Sequence, residues 1–181
     1  NGRIALETYY DGFDQNSVWY WASAGKTLTA TLTGIAQEDG LFTIEDPVTT
    51  YLGNGWTSAT AEKENLINMR HLLSMTSGLD DSQGDNIDSG NLKYISDAGT
   101  RWAYHNVYVK LQDVIALTSG KTWESYFNEK LRDPIGMNGQ WRTTNDFSVY
   151  WSNARSMARF GLLIAAEGKW KDRQIVSSAF I

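Results

Sequence analysis

The spacing of apolar residues along the chain predicts five helices and two short strands before any chemistry is considered. In the first helix, 27–39, Leu28, Leu32 and Ile35 share one face, and Gly40 stands where a left-handed cap would end it. The other predicted helices are 68–75, 108–118, 123–131 and 154–166, the last with Met157, Phe160, Leu163 and Ile164 on one face. Two segments rich in β-branched and aromatic residues, 3–10 and 17–21, predict strands ahead of the first helix.

This order predicts an α/β (α+β) protein in which 1–22 supplies sheet strands and 23–181 is a mainly helical region. Neither an internal repeat nor a low-complexity linker divides the chain, so we expect a single domain or part of a larger one. The stretch 80–91 has four Asp and two Gly with almost nothing apolar. It is predicted to be an exposed loop.

Composition narrows the class of protein. The 181 residues are 41% hydrophobic and 13% aromatic, which is typical of a packed globular protein. A net charge of −5, spread without long runs of one sign, argues against nucleic acid as a partner. No apolar run approaches the roughly 20 residues of a membrane span. The absence of cysteine excludes disulfides, thiolate metal sites and cysteine nucleophiles.

Ser23 and Lys26 form a Ser-x-x-Lys pair at the predicted start of the first helix. This spacing puts a hydroxyl and an amine about one turn apart on one face, where a lysine of lowered pKa could take the serine proton. A chain with this many serines and lysines is expected to contain such a pair by chance. The alternative is a capping serine followed by a solvated lysine.

Tyr104 and Asn106 form a Tyr-x-Asn that could supply a second general base and an amide that orients a substrate. Tyr126 and Asn128 match the pattern equally well. Because Tyr126 falls inside an amphipathic helix, we expect it in the core. Tyr104 lies between a turn and a helix and is the better candidate for a cleft.

Other catalytic and metal-binding motifs are excluded by the residues at their key positions. Trp21 stands where a nucleophile elbow needs glycine, and Tyr20 where a phosphate-binding loop needs it. The only two histidines, His71 and His105, cannot build a multi-histidine metal site, and each is expected to be a surface or satisfied core residue. The 80–91 loop lacks the glycine and glutamate of a calcium-binding EF-hand. We therefore expect no metal and no cofactor.

Taken in order, these residues resemble the serine β-lactamase and penicillin-binding-protein-like hydrolases, on the branch that includes class C β-lactamases, D-amino-acid peptidases, esterases and 6-aminohexanoate-dimer hydrolases. The resemblance runs through nearly the whole chain, and 70–79 is its most specific stretch. The matching segments are 7–10, 22–27, 40–48, 70–79, 99–106, 133–137 and 158–163.

By this resemblance Ser23 is the acylated nucleophile and Lys26 its base partner, Tyr104 passes the proton to the leaving group, and Asn106 steadies the substrate or Lys26. The implied fold is β-lactamase/transpeptidase-like, a helical domain beside an antiparallel sheet. The family's third motif, a Lys or His followed two residues on by Gly, does not occur here. We expect the sheet to be incomplete in these residues, with the missing strands and motif supplied by a C-terminal part of the same enzyme, in the same or a separate chain.

The resemblance implies hydrolysis of a small amide or ester through an acyl-enzyme on Ser23. A penicillin-binding D,D-peptidase or a β-lactamase is the alternative within enzymes, and a non-catalytic binding or sensor protein on the same fold is the alternative outside them. It also implies a periplasmic or extracellular bacterial location, with a cytoplasmic one left open. Trp102, Trp141 and Trp151 could line an apolar cleft, although packing explains tryptophans more often.

Overall fold

The computed structural model describes residues 2–144 and 147–181, without the side chains of Thr144 and Phe147. Within these residues short helices outnumber strands. The α-helices are α1 (Gly25–Glu38), α2 (Thr49–Leu52), α3 (Ala61–Glu64), α4 (Met69–Leu73), α5 (Lys110–Ser119), α6 (Trp123–Phe127) and α7 (Ala154–Ala165). The strands are β1 (Trp19–Tyr20), β2 (Gln140–Thr144), β3 (Phe147–Ser152), β4 (Lys169–Trp170) and β5 (Arg173–Gln174).

The described residues divide into two compact units. The first contains 2–35, 124–144 and 148–181, and the second contains 36–123 and 147. None of the described helices has both the length and the apolar character that crossing a bilayer requires.

The first unit is built on a three-stranded sheet in which β3 lies between β1 and β2. Strand β1 pairs antiparallel with β3, so that Trp19 faces Ser152 and Tyr20 faces Trp151. A second, separate ladder joins β4 and β5.

Aromatic rings fill the core of the first unit. Tyr150, fully buried on β3, lies with its ring centroid 5.0 Å from that of Phe127, 5.2 Å from Trp141 and 5.5 Å from Trp21. Edge-on and tilted pairs at these separations are favourable beyond the area they bury. Packing, and not a cleft, therefore accounts for Trp141, whereas Trp102 in the second unit is 67% exposed.

The second unit packs α4 and α5 around buried aliphatic residues. Met69 and Leu72 of α4 and Val114 and Ile115 of α5 are fully buried. The buried carboxylate of Glu64 accepts hydrogen bonds from the N–H groups of Gly55 and Thr57 and from the Thr57 hydroxyl, at 2.7–2.8 Å. These donors satisfy a buried acidic group that would otherwise be costly.

All five predicted helices are present, with small differences at their ends. Helix α1 begins two residues early, and Gly40 has the predicted left-handed φ of 75°. The predicted helix 108–118 begins as a 3₁₀ turn over Asn106–Val109, and α6 continues as a π-helix over Asn128–Arg132. On α7, Phe160 and Leu163 are buried as expected, but Met157 is 46% exposed, so its predicted place on the apolar face is wrong.

Segment 3–10, predicted to be a strand, lies outside the strands of the described residues, and four of the described strands, β2 to β5, come after residue 22. Segment 3–10 has no ladder partner among the described residues, and its Ile4 and Leu6 side chains are 64% and 86% exposed. A strand exists only where another strand accepts and donates its backbone hydrogen bonds. The prediction over 17–21 is confirmed only at Trp19–Tyr20. Strands β2 and β3 were not predicted, although their aromatic and β-branched residues favour strand.

Candidate active site

Ser23 lies on an exposed 3₁₀ turn, Ala22–Ala24, that leads directly into α1. The turn is fixed by Trp21, which is 5% exposed. The backbone N–H of Trp21 donates to the carbonyl oxygen of Tyr150 at 2.8 Å, and its indole nitrogen donates to Ser152 Oγ at 2.6 Å. The serine hydroxyl is thus carried at the surface by a residue tied to β3.

The backbone at Ala22 is strained. Its φ is +48°, a left-handed value that costs a residue with a Cβ about 1–2 kcal/mol. Such strain, held in place by surrounding packing, is often found next to reacting groups. Here it turns the chain from the buried Trp21 to the exposed Ser23 within two residues.

Lys26 is half-buried in the first turn of α1, three residues after Ser23. Beyond it the helix is buried on nearly every side, with Leu28, Thr29 and Leu32 fully buried. The hydroxyl of Thr33 donates to the carbonyl oxygen of Thr29 at 2.9 Å, which satisfies a polar group inside the core. Ser23 and Lys26, the pair predicted from the sequence, therefore lie on adjoining turns at the N-terminal end of α1. The Ser23 side chain is exposed there, whereas most of the helix that follows is buried.

Tyr104 lies in the second unit and is 53% exposed. Its segment is held against the residues that follow α4. The N–H of Ala103 donates to the carbonyl oxygen of Met75 at 3.0 Å, and the N–H of Gly99 donates to that of Thr76 at 2.8 Å. By contrast Tyr126 is 2% exposed in the first unit, so the prediction that Tyr126 belongs to the core is confirmed.

Within the 70–79 stretch, Gly78 occupies a position that excludes a side chain. Its φ is +75°, and a Cβ placed there would lie 2.1 Å from the backbone oxygen of Ser96. Its carbonyl oxygen accepts from the N–H groups of Ile95 and Ser96 at 3.0 and 3.1 Å. Only glycine allows this approach, which aligns the segment leading to Tyr104.

Asn106 is 7% exposed and opens the 3₁₀ turn before α5. Its amide nitrogen donates a hydrogen bond to the carboxylate of Asp85. Arg101 forms an ion pair with Asp81, Nη2 to Oδ1 at 2.7 Å, and this pair lowers the pKa of Asp81. The 80–91 loop is largely exposed, as predicted, but two of its carboxylates bind both ends of the segment 101–106.

Sequence analysis missed these two contacts. Nothing in the spacing of the aspartates indicates which of them binds Arg101 or Asn106, and the composition of the loop is equally typical of a solvated one. Within the described residues no three His, Asp or Glu side chains come together as metal ligands.

The two histidines differ. His71 is half-buried, and its Nδ1 accepts a hydrogen bond from the N–H of Asn68, the residue that caps the N-terminus of α4. His71 is therefore satisfied, as expected. His105 is 4% exposed, and neither of its ring nitrogens has a hydrogen-bond partner in the part of the chain that the structure describes. Burial lowers the pKa of His105, and the nearby carboxylates of Asp81 and Asp80 oppose that shift only in part. His105 is therefore a neutral core residue, and the expectation that it is satisfied is wrong.

The four residues singled out from the sequence thus fall into two pairs. Ser23 and Lys26 belong to the first unit, and Tyr104 and Asn106 to the second. Ser23 and Tyr104 are exposed, Lys26 is half-buried and Asn106 is buried.

Comparison with known proteins identifies the family. A family model described as Beta-lactamase matches residues 1–179, and the chain belongs to that family. An uncharacterized protein of Alkalihalophilus pseudofirmus is 25% identical over 212 residues, covering 98% of this chain and 60% of that protein. The chain therefore spans about 60% of the length of this curated relative.

Solved structures agree on the fold. A "putative beta-lactamase" from Bacteroides dorei has a TM-score of 0.82 and 23% identity, covering 98% of this chain and 59% of its own. A "putative 6-aminohexanoate-dimer hydrolase" from Bacillus anthracis has a TM-score of 0.81 and 20% identity, covering 99% of this chain and 55% of its own. The predicted β-lactamase/transpeptidase-like fold is confirmed, and this chain matches a little over half the length of those proteins.

Proposed function

We propose that the protein is a serine hydrolase that forms an acyl-enzyme on Ser23 and hydrolyses a small amide or ester. The observation that carries the proposal is the placement of Ser23 and Lys26. Ser23 is exposed on a tightly anchored turn, and Lys26 follows one turn later at the start of a helix that is otherwise core. Membership of the beta-lactamase family supports the same chemistry.

In the proposed reaction Lys26, in its neutral form, accepts the proton of the Ser23 hydroxyl as Ser23 Oγ attacks the substrate carbonyl carbon. The tetrahedral intermediate collapses with cleavage of the bond to the leaving group. The proton passes through the phenol of Tyr104 to that group, which departs neutral. Water then attacks the acyl-enzyme, releases the carboxylic acid and returns the proton to Ser23. No cofactor enters this scheme.

The role of Tyr104 is supported by its exposure and by the hydrogen bonds that hold its segment. The role of Asn106, steadying either the substrate or Lys26, rests on the family resemblance. The third motif and the strands that accompany it are expected outside residues 1–181. We propose that a C-terminal part of the same enzyme supplies them.

Covalent labelling tests the proposal. A fluorophosphonate probe should label the protein, and peptide mass spectrometry should locate the label on Ser23. Ser23→Ala should abolish labelling with little loss of stability, because the side chain is exposed, and Lys26→Ala should slow labelling by at least about 10²-fold. Labelling elsewhere, or undiminished in Ser23→Ala, would overturn the assignment.

Turnover separates the alternatives. A hydrolase releases product repeatedly from p-nitrophenyl acetate after any initial burst. A penicillin-binding peptidase should instead be labelled by fluorescent penicillin, with slow release of the acyl group. A binding or sensor protein should give neither stable labelling nor turnover.

A further inference from the structure

Exposure alternates along the segment that carries Tyr104. Trp102 and Tyr104 are 67% and 53% exposed, whereas Arg101 and Ala103 are partly covered and His105 is buried. The backbone at His105 is extended, with φ −144° and ψ 146°. Successive side chains of an extended chain point to opposite sides, so Trp102 and Tyr104 share the exposed side of this segment.

The segment is held in place by contacts within the second unit. Arg101 forms its ion pair with Asp81 at 2.7 Å, and the N–H of Ala103 donates to the carbonyl oxygen of Met75 at 3.0 Å. These contacts lie on both sides of residue 102 in the sequence. The indole of Trp102 is therefore carried by a fixed backbone, which lowers the entropy that a ligand binding against it has to offset.

Trp102 is the most exposed of the eight tryptophans of the chain. The next most exposed, Trp19, packs against the rings of Phe13 and Tyr20, each with centroids 5.6 Å from its own. Among the described residues Trp102 has no such ring contact. Packing inside the second unit therefore does not account for an indole at this position, and its apolar surface is open to a ligand.

We propose that Trp102 is a specificity-determining residue that binds the leaving group of the substrate, and that the preferred leaving group carries a planar apolar ring. This inference rests on the proposed function, in which the phenol of Tyr104 gives a proton to the leaving group. That step brings the leaving nitrogen of an amide within hydrogen-bond distance of Tyr104 Oη. Two residues of extended chain span about 7 Å, so a ring bonded to that nitrogen is within reach of the indole.

The placement of the indole implies a substrate class. Contact between two aromatic rings is favourable beyond the area that it buries. An amide of an aromatic amine places a ring directly on the leaving nitrogen, whereas an amide of a short alkylamine offers the indole nothing to bind. The protein should therefore favour aryl amides. The advantage should lie in KM, because a contact made equally before and during bond cleavage tightens binding without accelerating the cleavage.

Binding at Trp102 can be measured without turnover. In Ser23→Ala protein that contains 5-fluorotryptophan, the ¹⁹F signal of Trp102 is assigned by its loss when Trp102→Phe is added. p-Nitroaniline, the leaving group of an aryl amide, should shift this signal in a saturable way. 2,2,2-Trifluoroethylamine, which has no ring, should leave it unchanged. A Trp102 signal that p-nitroaniline does not shift would overturn the inference, as it would if another part of the enzyme covered the indole.

Kinetics with two leaving groups on one acyl group tests the same contact. The readout is the ratio of kcat/KM for p-nitroacetanilide to that for N-(2,2,2-trifluoroethyl)acetamide. In Trp102→Ala this ratio should fall about three- to tenfold, mainly through KM, which is the scale of one aromatic pair. Trp102→Phe keeps a ring and should retain most of the ratio. Leu117→Ala removes another exposed apolar side chain of the second unit and is the matched control, in which the ratio should not change.

A change on the acyl side of the substrate distinguishes the two ends of the scissile bond. If Trp102 bound the acyl part, Trp102→Ala would lower kcat/KM for N-(4-nitrophenyl)hexanamide relative to p-nitroacetanilide. The ratio between the two leaving groups would then stay constant. That result would overturn the assignment of Trp102 to the leaving group.

The two proposals fail in different ways. In a protein that is labelled at Ser23 and turns over, an unchanged leaving-group ratio in Trp102→Ala would contradict the inferred specificity while leaving the serine hydrolase intact. If instead wild type neither labels nor turns over, the proposed function fails, and the ¹⁹F measurement still decides whether Trp102 binds an aromatic amine.

Discussion

The indole nitrogen of Trp21 donates a hydrogen bond of 2.6 Å to the hydroxyl of Ser152, and both residues are buried. The two lie 131 positions apart in the sequence. Because Trp21 directly precedes the turn that carries Ser23, this bond anchors the proposed nucleophile on β3.

Removing either partner should destabilise the protein. Ser152→Ala leaves the indole N–H buried without an acceptor, at a cost of about 1–3 kcal/mol in unfolding free energy, and Trp21→Phe loses the same bond. The double variant should lose about 1 kcal/mol less unfolding free energy than the two single variants lose together, as measured by urea denaturation. Trp19→Phe, at an exposed position, is the control and should stay within about 0.5 kcal/mol. Strict additivity would show that the two side chains are not coupled.

The two tyrosines should separate in kinetics. Tyr104→Phe removes the group proposed to carry the proton to the leaving group, and kcat/KM for an anilide such as p-nitroacetanilide, whose amine cannot leave unprotonated, should fall by about 10²-fold or more. Tyr126→Phe changes a buried ring and should stay within about threefold of wild type in the same assay. Equal losses at both positions would indicate that Tyr104 has no special role.

Gly78→Ala should be among the most damaging small substitutions. It adds a Cβ at left-handed φ and 2.1 Å from the Ser96 oxygen, and should lower the unfolding free energy by about 3 kcal/mol or more. Gly84→Ala is a matched control, because its φ is +64° but nothing lies within 4 Å of the added Cβ. It should cost only about 1 kcal/mol. A similar loss in both variants would mean that φ alone, and not the contact with Ser96, sets the cost.

His105 should make stability depend on pH in mildly acidic solution. Since burial lowers its pKa in the folded protein, the unfolded chain binds a proton more readily. Its contribution is therefore fully present above the ordinary pKa of 6.5 and is lost as pH falls below it. His105→Phe removes two unpartnered ring nitrogens and should stabilise the protein by on the order of 1 kcal/mol at pH 7.5, and by more at pH 5. Thermal unfolding across this range measures the difference, and parallel pH curves for the two proteins would contradict it.

Glu7 should make stability depend on pH in a more acidic range than His105 does. Its carboxylate is held by Arg155 through two hydrogen bonds of 2.8 and 2.6 Å, and that contact lowers the pKa of Glu7 to about 2. A lowered carboxyl pKa contributes stability that is present above the ordinary 4.5 and lost as pH falls through about 2. Wild type should therefore melt above Glu7→Gln at pH 6, and the two melting temperatures should converge near pH 2. A constant difference down to pH 2 would exclude the carboxylate as its source.

Local sequence signals predicted α1 and the place of Ser23 at its start, because such signals depend on residues close by in the chain. Leu28, Leu32 and Ile35 recur at the period of a helix, and Gly40 ends it with a positive φ that few other residues adopt. The same reasoning separated Tyr104 from Tyr126 by the amphipathic pattern around each. The same reasoning failed at 3–10. The residues there favour a strand, but none of the described strands pairs with them.

What the sequence by itself determined is therefore five of the seven described α-helices, the family and the four candidate residues. Only the tertiary structure decided that Trp21 binds Ser152, that His105 is buried without partners and that Asp85 holds Asn106. Helix periodicity and capping depend on residues three or four positions apart, so they can be predicted from the sequence. The contacts with Ser152 and Asp85 join residues 131 and 21 positions apart, and such pairs form only when packing of the whole unit brings one particular donor to one particular acceptor.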